Sequence, residues 1–498
     1  MALFNWLKNR SAGVLLHPTA LPSRQGIGTF GKSAFRFIDV LAEMRMRYWQ
    51  VCPLGPTGYG SSPYQCYSSF AGNPALIDLE MLGGDLTPFN NLPHNRVDFD
   101  ALNRLHAIAL DKAIENLRND KKAIEKFGDF EKFKRDNQYW LHGYALYMAL
   151  KTHYANKPWY EWPAEMSNFK TACKKAFPQA IKIAIEKIEL TQFIFFAQWQ
   201  ELRLYARQRG IEIIGDAPIF TALDSADVWQ NPEIFQLDKN KKPTAVAGVP
   251  PDYFSATGQL WGNPLYDWKA LKKTKYAWWI ERLRACFRLY DVVRIDHFRA
   301  FYDYWRIPAG SKDARTGEWV AGPGLDFFEA VRKSLGEARL IAEDLGDLND
   351  GVRKLLDDTG LPGMDVLIFA FGGDPRNLYL PHNIKSNAIV YPGTHDNDTI
   401  IGWYNRASEQ EKDFFRRYLW TDGNAPHNAM INAAMKSHAN LAIVAAQDFL
   451  GLGTEARFNE PGTVQNNWTW RLTYAQLEQL HQLAGTFIRP LVEISGRC

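Results

Sequence analysis

QWQELRLYARQRG (198–210) running directly into IEIIGDAPI (211–219) is the stretch from which the architecture can be read. Phe196, Trp199 and Leu202 fall at helical spacing, Arg207 and Arg209 stand where cations meet the negative end of a helix, and Gly210 stops it. The residues after Gly210 are apolar almost without interruption and end in Gly215-Asp216. A helix hands over to a strand that is buried on both faces, as in a parallel sheet. Seven further runs of this kind occur at 13–17 (GVLLH), 48–54 (YWQVCPL), 292–298 (VVRIDHF), 340–346 (LIAEDLG), 364–371 (MDVLIFAF), 388–396 (AIVYPGTHD) and 441–449 (LAIVAAQDF). Eight such candidates, with helical stretches between most of them, predict an α/β fold built on an eight-stranded β/α (TIM) barrel.

Between the second and third candidates, residues 101–137 are Lys-rich with Leu110, Ile114 and Leu117 on one face, and 178–190 read likewise. Residues 55–195 are therefore expected to be a mainly helical insertion, with 1–54 and 196–498 forming the barrel and its active-site loops. The lysines there are expected to be solvated helix faces. Across all 498 residues, 58 basic and 55 acidic side chains give a formal charge of +3, which offers no broad attraction for nucleic acid or an acidic membrane. No segment is apolar over the ~20 residues that a bilayer span needs. Five cysteines without C-x-x-C pairing are expected to be reduced thiols, and the N-terminus lacks a secretory signal, so a cytoplasmic protein is expected.

In barrels of this kind chemistry sits at the C-terminal strand ends. Four of the predicted strands end in acids: Asp216, then Asp296 in Arg294-Ile295-Asp296-His297, then Glu343-Asp344, and Asp396 in His395-Asp396-Asn397-Asp398. Singly, each could close a turn; together they fit either a hard cation or glycoside chemistry with paired carboxylates. Arg294 shares the strand face of Asp296 and would keep that carboxylate ionised, which suits a nucleophile better than a metal ligand. Glu343 and Asp344 are adjacent, so only one of them can face the barrel axis, and periodicity alone does not say which. GVPPDYFSATGQLWGN (248–263), with Tyr253, Phe254 and Trp261, is expected to be a long functional loop.

At these positions, and at LLHPTALPS (15–23), WQVCPLGPTGYGSSPYQ (49–65), FAGNP (70–74), VRIDHFRAF (293–301), LPHN (380–383), GTHDNDT (393–399) and NNWTWR (466–471), the chain resembles glycoside hydrolase family 77, the amylomaltases. The resemblance runs almost end to end. It implies a barrel of the α-amylase clan that needs neither metal nor organic cofactor. It assigns Asp296 as nucleophile, Glu343 as general acid and then base, and Asp396 as stabiliser of an oxocarbenium-like transition state. Arg294, His395 and Asp216 would orient these groups, with substrate contacts from Tyr59, Asp252, Tyr253, Phe254, Gln259, Trp261 and Asn467. The implied partners are α-1,4-glucan oligosaccharides and polysaccharides, acted on by a monomer or weak homodimer. Asn466 and Ala300 stand where the family often has Gly, and Gly372-Gly373 where some members carry acids. The competing readings are an α-glucan hydrolase with the same acids and a non-catalytic glucan-binding protein; a phosphotransferase would need a G-x-x-x-x-G-K-[ST] cradle, which the sequence lacks.

Overall fold

The computed structural model describes residues 2–251, 255–346 and 348–498. Its strands, numbered along the chain, are β1 (Ser11–Leu15), β2 (Tyr48–Gln50), β3 (Glu212–Ala217), β4 (Ala245–Val249), β5 (Gln259–Pro264), β6 (Val292–Ile295), β7 (Asp303–Pro308), β8 (Glu318–Ala321), β9 (Leu340–Ala342), β10 (Gly363–Val366), β11 (Ala388–Tyr391) and β12 (Leu441–Ala445). Eight of them pair in parallel in the order β10-β11-β12-β1-β2-β3-β6-β9, and Ala342 N–H donates to Pro362 O (3.0 Å) across the remaining gap. The expected β/α barrel is thus present and nearly closed.

The unbroken apolar runs have a direct cause. Ile214, Val292, Ile341, Ile389 and Ile443 pack with one another inside the barrel. Their neighbours Ile213, Val293, Val390 and Val444 belong to the separate cluster shared with the surrounding helices. Both strand faces are dry, so period-2 alternation of polarity never arises.

Helical stretches expected near 178–190 and 198–210 are one continuous 30-residue helix, Gln179–Gln208. Two buried glutamines clamp it to the chain that follows β2. Gln192 exchanges hydrogen bonds with the backbone N–H and C=O of Gly72 (2.7 and 3.0 Å), and Gln198 does the same with Asp78 (2.8 and 3.1 Å). Each amide side chain satisfies one residue's backbone donor and acceptor in a place water does not reach. Among the described residues no helix is long and apolar enough to cross a membrane.

The segment 248–263 departs from expectation. Its flanks are β4 and β5, an antiparallel hairpin in a second sheet of order β5-β4-β7-β8. A Cβ at Gly248 would lie 2.2 Å from Gln259 O, so the glycine that suggested a loop is instead what lets the two strands approach. The partner strand β7, which carries Tyr304 and Trp305, is distant in sequence. Asp252, Tyr253 and Phe254 lie outside the described residues. Other strand candidates end early: β12 turns into the helix Ala446–Phe449, and β10 into the single turn Leu367–Phe369.

The base of the barrel is tied by Arg497, whose side chain is fully buried. Its guanidinium donates to Met435 O (2.7 Å), Ser11 O (3.1 Å), Ser437 O (3.2 Å) and Asn440 O (3.3 Å), joining the starts of β1 and β12. Arg497→Ala leaves buried carbonyls short of a donor and is expected to cost at least about 1–3 kcal/mol. The expected readout is a lower midpoint in denaturant-induced unfolding; an unchanged midpoint would show that the tie contributes nothing.

Candidate active site

Arg294, the third residue of β6, is the centre of the acid cluster. It is buried, and one terminal nitrogen donates both to Asp216 on the neighbouring β3 (2.6 Å) and to Asp296, two residues on (3.1 Å). Its Nε meets Met364 Sδ on β10 (3.4 Å). Burial lowers the proton affinity of a guanidinium, yet the adjacent Asp216 and Asp296 carboxylates hold Arg294 well above its ordinary range, so it is a fixed cation. Asp216 is itself buried. Burial pushes its carboxyl up against the pull of Arg294, and Tyr64 Oη donates to it (2.8 Å).

Glu343 follows β9, the strand next to β6. The chain turns sharply after Asp296: His297 adopts φ +48° and ψ +55°, a left-handed conformation that non-glycine residues rarely take. That turn aims His297 N–H at Glu343 Oε2 (2.7 Å), while Leu345 N–H donates to Oε1 (2.9 Å). Burial pushes the Glu343 carboxyl up to about 7; Arg294 opposes the shift and Asp296 adds to it. Asp344 points elsewhere and accepts from Met364 N–H on β10 (2.7 Å). Of the adjacent pair, Glu343 is therefore the one that faces Asp296 and Arg294.

Asp396, in the loop after β11, accepts from Asn459 Nδ2 (2.6 Å) and lies 3.4 Å from His395 Nε2. Arg457 donates to its backbone carbonyl (2.9 Å). His395 is stacked on Tyr64, with ring centroids 5.2 Å apart and planes 10° from parallel, and Trp468 packs against both rings. Tyr64 thus connects the Asp216 and Asp396 sides of the rim. His17, just past β1, lies buried in the same floor, its pKa lowered to about 3 by burial and then by His395.

Sequence reasoning singled out neither Tyr64, Asn459, His17 nor Trp468. Tyr64, His17 and Trp468 stand inside motifs quoted for the resemblance, which was the one signal available for them.

The remaining predicted contacts sit farther out. Trp261, on β5, packs edge-on against the His297 ring (5.0 Å) and donates to Gln259 Oε1 (3.1 Å), so the second sheet reaches the rim beside Glu343. Asn467 is bound within its own loop, accepting from Glu460 N–H (2.9 Å) and donating to Thr463 O (2.9 Å). That loop is the one that carries Asn459 to Asp396. Tyr59 is 76% exposed, on a turn whose Gly60 would bring a Cβ to 3.5 Å from Val464 Cγ1 in the same loop. Asn466 has φ +62°, the conformation for which Gly is favoured and Asn tolerated.

Residues 16–477 match the model of glycoside hydrolase family 77, described as 4-alpha-glucanotransferase. The chain is 44% identical over 482 residues to a 4-alpha-glucanotransferase of Streptococcus pneumoniae, covering 95% of each chain. It is 45% identical over 506 residues to one of Synechocystis, covering 99% of each. Among solved structures, an amylomaltase from Streptococcus agalactiae in complex with acarbose superposes with a TM-score of 0.92 at 36% identity, over 98% of this chain and 99% of that one. The chain belongs to glycoside hydrolase family 77, the 4-alpha-glucanotransferases.

Proposed function

We propose that this rim transfers segments of α-1,4-glucan to the 4-hydroxyl of glucose or of another glucan by a retaining double displacement. The observation that carries the reading is the contrast between two neighbouring carboxyls: Asp296 is paired with a buried arginine, while Glu343 is pushed up to about 7 by burial. Two acids in such different surroundings suit a nucleophile and a proton donor. In the first step Asp296 attacks the anomeric carbon, the glycosidic bond breaks, and Glu343 gives its proton to the departing 4-oxygen. In the second, ionised Glu343 takes the proton of an incoming 4-hydroxyl as that oxygen attacks the same carbon and releases Asp296. Asp396, held by Asn459 through one oxygen, stabilises the positive charge that develops on the sugar ring. Arg294, Asp216 and His395 hold these acids in place, and Tyr59, Gln259, Trp261 and Asn467 flank the path of the glucan.

Binding of acarbose by a similar amylomaltase supports an oligosaccharide at this site. In the proposed division into a barrel (1–54 and 196–498) and an insertion (55–195), the insertion supplies Tyr59 and Tyr64. The free thiols of Cys52, Cys66, Cys173, Cys286 and Cys498 support a reducing, cytoplasmic setting.

Incubation with maltotriose tests the reaction. A ladder of shorter and longer oligosaccharides with constant total reducing ends is expected; rising reducing ends would make the protein a hydrolase, and no change would favour a glucan-binding protein. Asp296→Ala should lower kcat by roughly 10^4- to 10^6-fold while oligosaccharide binding stays measurable. Glu343→Gln should lose about 10^2- to 10^4-fold on maltotriose but far less on α-glucosyl fluoride, whose leaving group needs little protonation. Equal losses on the two substrates would remove Glu343 from the acid role. Because the protonated form of Glu343 is the active acid and its pKa is raised, kcat/KM should fall as pH rises through about 7. That limb should vanish in Glu343→Gln, and an unchanged limb would assign it to another group.

A further inference from the structure

The ladder of the barrel is interrupted at one junction, between β9 and β10. Beyond Ala342 N–H to Pro362 O, this junction is bridged by Met364 N–H donating to Asp344 Oδ1 at 2.7 Å, so a side-chain carboxylate stands where a strand carbonyl would. The contact depends on Gly363. A Cβ there would lie 2.5 Å from Asp344 Oδ2 and 2.8 Å from Oδ1, so any side chain at 363 would displace the carboxylate.

Both ends of this bridge lead into the active site. Asp344 is covalently next to Glu343, whose main chain is tied to the β6 side by its N–H to Ile295 O (3.0 Å) and by Phe298 N–H to its own carbonyl (2.9 Å). Met364 presents Sδ to Arg294 Nε, and Arg294 binds Asp216 and Asp296. Burial raises the Asp344 carboxyl only to about 6, with Met364 N–H, Arg353 and Lys385 opposing the rise, so near neutral pH it accepts as an anion. The half-buried Asp365 carboxyl, raised by desolvation, lies close enough to be pushed up further by it.

We propose that Asp344 is a positioning residue for the transfer reaction. Its carboxylate on Met364 N–H fastens the open junction of the barrel and so fixes Glu343 relative to Arg294 and Asp296. This rests on Glu343 being the acid–base group. Asp344 touches no reacting atom, and its effect is on distance and angle in the proton transfer.

The test is steady-state kinetics on maltotriose and on α-glucosyl fluoride for Asp344→Ala, Asp344→Asn and Gly363→Ala, alongside Glu343→Gln. A misplacement of about 1 Å at a reacting group can cost on the order of 100-fold. Asp344→Ala and Gly363→Ala are expected to lose about that factor in kcat on maltotriose, with KM changed less than about twofold and a much smaller loss on the fluoride. Asp344→Asn, whose side-chain carbonyl still accepts from Met364 N–H, should recover to within about tenfold of the native rate. Native-like kcat in Asp344→Ala or Gly363→Ala would overturn the proposal, as would equal losses on the two substrates. An Asn variant as poor as the Ala variant would also overturn it. If Asp344→Ala does not fold, the Asn and Gly363→Ala variants decide the matter by the same criteria. A Glu343→Gln enzyme that remains active on maltotriose would instead overturn the acid assignment itself, whatever the Asp344 variants do.

Discussion

One buried cation organises the rim. Arg294 receives Asp216 from the preceding strand of the sheet and Asp296 from its own, and without it two carboxylates would face each other in a water-poor site. Removing one partner of a buried ion pair typically costs about 3–5 kcal/mol, because the charge left behind has neither water nor counterion. The guanidinium therefore serves two ends at once. It makes the acid cluster compatible with folding, and it holds Asp296 by a direct hydrogen bond. Asp296 touches the cation directly, whereas Glu343 feels it against a stronger effect of burial.

The backbone completes that division. Glu343 accepts from two main-chain N–H groups, one of them presented by His297 in a left-handed conformation. A strained residue of this kind persists only where its surroundings over-determine it. Here Trp261 packs on the imidazole from the second sheet, and Phe298 N–H holds the following turn to the Glu343 carbonyl. The antiparallel sheet built from the segments after β3 and after β6 thus has a definite relation to the chemistry, since its β5 meets the turn that orients the acid.

The opposite side of the rim is assembled from distant parts of the chain. Tyr64 comes from the segment after β2, His395 from the loop after β11, and Asn459 and Trp468 from the loop after β12. Stacking of the Tyr64 and His395 rings joins Asp216 to Asp396 without a direct bond between the carboxylates. The rim thus draws its side chains from in or after β2, β3, β6, β9, β11 and β12.

The barrel strands were legible in the residues themselves because parallel barrel strands are dry on both faces, as in IEIIGDAPI, although the last four residues of LAIVAAQDF fold as a helix. The acids at the strand ends were legible for the same reason, since a charged residue closing an apolar run must lie at its rim. Pairing was not legible. The hairpin β4–β5 contains Gly248 and runs into Pro250-Pro251, which read as loop until β7, far along the chain, supplies a partner. The choice between Glu343 and Asp344 likewise needed β6 and β10 in place, because two adjacent carboxyls differ only in which neighbour they meet. By itself the sequence determined which barrel strands exist and which acids end them, through local burial and period; tertiary structure alone decided which acid faces the arginine, through contacts between residues that the chain keeps far apart.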